Sequence, residues 1–156
     1  SANHLETLRL MKAAGVDLTY VPYTGTGPVI PAVMGGHIKA AMSYSMVSVS
    51  YKDKFRTLAV AAEERVPALP DVPTFKELGY DIVGGAFRGV AAPQGTPQPI
   101  VDRLAQAYTN ANKVIAKKQL DLGFVMTYAT GDDALKLVDK MRDAYSDVLN
   151  DIKKKK

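Results

Sequence analysis

Residues 14–36 read Ala14-Gly15-Val16-Asp17-Leu18-Thr19-Tyr20-Val21-Pro22-Tyr23-Thr24-Gly25-Thr26-Gly27-Pro28-Val29-Ile30-Pro31-Ala32-Val33-Met34-Gly35-Gly36. Gly15 is a helix-ending residue. After it, residues 17–22 alternate polar with apolar, as a half-buried strand does. Tyr23, Thr24, Gly25, Thr26 and Gly27 then form a turn, and Pro28 suits the first turn of a new helix. Gly35 and Gly36 end that helix. A strand that feeds a glycine-rich turn and a helix start lets the backbone approach a ligand and aims free N–H groups at it. An anion placed there gains about 0.3–1 kcal/mol. The spacing lacks the lysine of a P-loop and does not fit the dinucleotide fingerprint. An anion cradle and a plain tight turn are the two readings.

Upstream, Leu5, Leu8 and Met11 recur at helical spacing, and Ser1 or Asn3 caps that helix, with His4 in its first turn. Downstream, residues 38–42 read as a short strand. A serine-rich helix over 43–50 follows, with Ser43 and Tyr44 at its start. Residues 55–61 read as a buried strand, and 64–73, with three prolines, as an extended loop. Thr74 is expected to cap a short helix closed by Gly79. Residues 81–83 and 87–92 look extended, with Phe87 and Arg88 in the second. Arg88 either points to solvent or grips a carboxylate. Thr96 and Pro97 start a long helix that ends near 117 or 122. A brief strand at 124–128 and a final helix over 132–152 complete the chain. Strands separated by helices imply an α/β fold with a mostly parallel sheet.

Composition narrows the function. The net charge is +4 over 156 residues, and the four lysines that close the chain equal that excess. The other lysines and arginines alternate with acids, with no basic stripe among aromatics, so no nucleic-acid partner is expected. The absence of cysteine excludes disulfides and thiolate chemistry. His4 and His37 have no partner at metal-ligand spacing, and no triad or paired-carboxylate site assembles. Neither a cofactor, a metal nor an enzyme activity is therefore expected. No apolar run reaches the roughly 18 residues of a membrane span. Met11, Met34, Met42 and Met46 read as core.

The run from Ala14 to Tyr23, then Gly25 to Pro28, Gly35-Gly36, Arg56 to Val60, Pro67 to Thr74 and Ala92 to Pro97, resembles the tripartite tricarboxylate transporter receptors. These TctC-like or Bug proteins are two-lobed periplasmic solute receptors. The resemblance implies a type II periplasmic-binding-protein fold. Residues 1–85 would be the second lobe and 86–92 a hinge-crossing strand. Residues 93–156 would be the C-terminal helical part of the first lobe, whose N-terminal part precedes Ser1. The family's ligand contacts fall on Ser1, Asn3, His4, Thr24, Gly25, Thr26, Gly27, Ser43 and Tyr44, with Tyr23, Phe87 and Arg88 beside them. Many members carry an acid near Lys39 and often an Asp where this chain has Ser43. Without those acids, a di- or tricarboxylate lacking an amine is the expected ligand, and membrane permease subunits are the expected partners. Strand edges of an incomplete lobe would also let copies pair as an intertwined homodimer. The effector domain of a transcription regulator and a small α/β enzyme with an anion-binding turn are the rival readings.

Overall fold

The structure is a computed structural model that describes residues 2–126 and 128–154. Its described residues form five helices: α1 (Ala2–Ala14), α2 (Thr26–Met34), α3 (Ser45–Ser50), α4 (Gln98–Asp121) and α5 (Gly131–Lys154). Several boundaries obey local chemistry. Gly15 follows α1 at φ 63°, a left-handed angle that glycine adopts without a Cβ clash. Gly35 caps α2, its N–H bonding back to the Pro31 carbonyl, and Gly36 at φ 71° turns the chain away. Pro28 lies in the first turn of α2, where its missing N–H costs no hydrogen bond.

The sheet is where expectation and structure part. Residues 17–22, 38–42 and 86–92 are non-helical, yet no strand is assigned among the described residues. A single parallel bridge joins Val60 to Thr74, with the Val60 N–H bonded to the Pro73 carbonyl at 2.9 Å and the Phe75 N–H to the Val60 carbonyl at 3.0 Å. An extended segment becomes a strand only when a neighbour supplies ladder partners, and among the described residues 17–22 make no backbone hydrogen bonds. Their apolar side chains are also poorly covered, with Leu18 and Val21 nearly half exposed. The accessible surface of 11332 Å² for 16.8 kDa exceeds the roughly 7,700 Å² of a compact monomer of that mass.

Three other expectations give way to local geometry. Thr74 does not start a helix but closes a capping box on one turn. The Glu77 N–H donates to Thr74 Oγ1 at 3.1 Å and the Thr74 N–H to Glu77 Oε2 at 2.7 Å. Gly79, at φ 88°, then breaks the turn. Thr96 is not the cap of α4: that position is Pro97, and the Thr96 hydroxyl donates to the Pro93 carbonyl at 2.7 Å. Met34 is exposed at the end of α2, not core, because among the described residues no other helix packs against α2.

The core joins Val60, in the segment expected to be buried, to residues of the expected loop. Val60, Val66 and Leu69 are buried together, with Val49, Ala62, Ala68 and Val72 packed on them. The prolines of 64–73 fold that segment into tight turns, seen in the Leu69 N–H to Val66 and Val72 N–H to Leu69 bonds, and so fold its apolar residues inward. Among the described elements, the one helix pair in contact is α1 with α5. There Val148 is buried against α1.

Candidate functional site

The first turn of α1 carries Asn3 and His4. Asn3 is the second residue of the helix, and its carbonyl accepts the Thr7 hydroxyl at 2.8 Å. It is therefore inside the helix and not its cap, while Ser1 lies outside the described residues. The His4 ring stacks on Tyr20, centroids 4.0 Å apart. That contact ties the start of α1 to the segment leading into the 23–27 turn.

The turn leaves the start of α2 open. Gly25 is its N-cap in extended backbone, φ 161°, and no side chain caps the helix. Pro28 has no N–H, so Gly25, Thr26 and Gly27 carry the amides that the helix itself leaves unpaired. A Cβ built on Gly25 or Gly27 meets nothing within 4 Å. Glycine is not required there by strain or crowding, and the amides are reachable from solvent. Thr24, Gly25 and Gly27 are exposed, and Tyr23 and Thr26 half-buried.

A second grouping forms around residues 123–124. Ser45 Oγ donates to the Gly123 carbonyl at 2.6 Å, and the Arg88 guanidinium lies 5.9 Å from the centre of the Phe124 ring. Contacts at this distance are weakly attractive through the ring's negative face. Arg88 and the start of α3 therefore share a neighbourhood. Tyr44, the N-cap of α3, is exposed in extended backbone, with Ser43 half-buried before it. The helix starts two residues later than the sequence reading placed it, because neither Ser43 nor Tyr44 supplies a capping bond. Phe87 and Arg88 are exposed, and among the described residues no carboxylate pairs with Arg88.

Two patches thus exist: His4, Tyr20 and the 23–27 turn in one, Ser45, Phe124 and Arg88 in the other. Among the described residues, no hydrogen bond, ion pair or ring contact joins them. Three histidine or acidic side chains poised to hold a metal do not occur among the described residues either. Both patches can receive an anion: one with helix-start amides, the other with a guanidinium.

Sequence reasoning passed over one polar cluster. Glu6 is 3% exposed. It accepts Arg9 Nη1 at 3.1 and 3.3 Å and the hydroxyl of Tyr145, while Arg9 also donates to the Val83 carbonyl at 3.1 Å. Burial first, and the bond to Glu6 second, push the Tyr145 hydroxyl up to about 12. In sequence, Glu6 and Arg9 look like any solvated pair three residues apart on a helix, so nothing local marked them.

The chain spans about a third of the length of the curated relatives it matches and about half that of similar solved proteins. A protein from the gbd 5′ region of Cupriavidus necator is 35% identical over 109 residues, covering 69% of this chain and 33% of that one. MatC from Rhodopseudomonas palustris, solved with bound malate, is 31% identical with a TM-score of 0.79, covering 95% of this chain and 53% of that one. Another R. palustris protein, solved with adipate, is 26% identical with a TM-score of 0.80, covering 96% and 52%. These neighbours give the periplasmic-binding-protein type of fold. The model of the tripartite tricarboxylate transporter family receptor, TctC, matches residues 1–153, so the chain belongs to that family of solute-binding receptors, which are not enzymes.

Proposed function

We propose that this chain forms much of a periplasmic receptor that captures a small di- or tricarboxylate and presents it to the permease of a tripartite tricarboxylate-type transporter. The observation that carries this reading is the match of nearly the whole chain to two carboxylate-bound structures at TM-scores of 0.79 and 0.80. Residues 1–85 form the second lobe, 86–92 cross the hinge, and 93–156 belong to the first lobe. The extended segments complete a largely parallel sheet once the remainder of the receptor body covers them. The parallel sense of the Val60–Thr74 bridge is in keeping with that. Among the described residues no helix is long and apolar enough to cross a membrane, which is compatible with a receptor that hands its solute to a separate permease.

Ligand capture follows from the two patches. The N–H groups of Gly25, Thr26 and Gly27 receive one carboxylate at the start of α2, with Thr24 and Tyr23 beside it. Asn3 and His4 border that patch, held to it by the His4–Tyr20 stack. Arg88, beside Ser43, Tyr44 and Phe87, receives a second carboxylate, where a guanidinium offers paired donors. A ligand that engages both patches favours whichever lobe arrangement brings them together, and its differential affinity is the energy of closure. Calorimetry on the full-length gene product with malate, adipate, citrate and acetate tests this. Heat with the multivalent acids and little with acetate is expected; silence with all four overturns the reading.

A further inference from the structure

The cluster around Glu6 joins three parts of the chain. Glu6 and Arg9 come from α1, Val83, Gly84 and Gly85 from the segment before the proposed hinge crossing, and Tyr145 from α5. Arg9 links its own helix to the Val83 carbonyl, and its guanidinium also lies 5.7 Å from the centre of the Tyr145 ring. Tyr145 bonds the Glu6 carboxylate. The approach is close: a Cβ on Gly84 would sit 2.1 Å from Glu6 Oε1, so any side chain there displaces the Glu6 carboxylate from its bonds. Gly85 follows at φ 145°, an angle that side chains rarely adopt. Three residues later comes Arg88.

For plain packing, an apolar side chain of similar volume would serve α1 and α5 as well as a buried ion pair, without the desolvation cost. What a polar cluster adds is direction. Its bonds hold only in one relative placement of the three segments. We infer that Glu6, Arg9 and Tyr145 are positioning residues that set the angle at which the crossing segment leaves α1, and so the rest position of one lobe against the other. The inference rests on the two-lobe reading, since α1 lies on one side of the proposed hinge and α5 on the other. None of the three touches the carboxylate. They act by holding the Arg88 patch in register with the patch of His4 and the 23–27 turn.

The 156 residues contain no cysteine, so labels placed in them are unambiguous once any cysteine elsewhere in the gene product is replaced by serine. Spin labels at Lys39→Cys and Lys113→Cys, both exposed positions on opposite sides of the proposed hinge, report the separation of the lobes in the full-length gene product. Tyr145→Phe removes one hydroxyl and keeps the ring. It should widen or shift the label distance distribution without solute, and weaken malate and adipate by the same factor, roughly three- to tenfold, the worth of one net hydrogen bond. Glu6→Gln keeps an acceptor for Tyr145 but takes the carboxylate from Arg9, and should shift the distances at least as much. If Tyr145→Phe folds poorly, Arg9→Lys, which cannot hold Glu6 and the Val83 carbonyl together, gives the same readout. A lower melting temperature with unchanged distances and affinities would reduce the cluster to ordinary packing and overturn the inference. If the unaltered protein binds no carboxylate, the receptor reading falls, and the label distances alone still decide the positioning role.

Discussion

The hydroxyl of Tyr145 donates to the carboxylate of Glu6 across 139 residues of sequence, inside the contact between α5 and α1. That bond joins the last long helix to the first, and it has consequences for stability as well as geometry.

Tyr145→Phe should lower unfolding stability by about 1–2 kcal/mol, the low end for a bond to a charged group because the phenol is only half-buried. The native hydroxyl titrates at about 12 and the unfolded one near 10.0. Below pH 10 both states hold the proton and the contribution is whole. Between the two values the unfolded chain releases its proton first, so stability falls as pH rises. Urea melts of both proteins from pH 8 to 12 should converge at the alkaline end. Parallel curves would deny the bond.

Gly84→Ala places a methyl against Glu6 Oε1 and should cost about 1–3 kcal/mol by overpacking. Gly25→Ala meets open space at an extended φ of 161° and should change stability by less than about 0.5 kcal/mol. Thermal melts of the two variants side by side check the contrast, which similar losses would erase.

Glu77 titrates at about 2, held down first by its bond with Arg65 and then by the Thr74 N–H. The native carboxylate therefore stays charged while the unfolded one, near 4.5, takes up a proton. Its stabilisation is whole above pH 4.5 and is lost as pH falls toward 2. Glu77→Gln should flatten that acid limb in melts from pH 6 to 2. An unchanged slope would show that the capping box and the Arg65 pair contribute nothing in solution.

Arg88→Ala should weaken citrate by roughly tenfold or more, the scale of a lost charge-assisted bond, and acetate far less. Calorimetric titration reads both. Equal losses would remove Arg88 from carboxylate recognition.

The legible part of the fold was the part governed by neighbours in sequence. Gly15, Gly35-Gly36 and Pro28 marked helix ends and starts because a left-handed φ or a missing N–H acts within one turn. The long helices near 98–121 and 131–154 followed from their spacing. The ladder of strands was not legible in the same way. Residues 17–22 have the alternation of a strand, but whether they pair depends on amides elsewhere, and among the described residues none is offered. Thr96-Pro97 looked like a cap, yet the Pro93 carbonyl competes for the hydroxyl.

The candidate site divides along the same line. Glycines 25 and 27 ahead of Pro28 determined an open helix start with reachable amides, a property of the backbone within a few residues. Which other residues stand near it was decided by tertiary contacts: His4 on Tyr20, Arg88 on Phe124, and Glu6 between Arg9 and Tyr145. A carboxylate on a helix reads the same whether it faces water or a tyrosine 139 residues away. Only the folded chain removes the water and makes the difference.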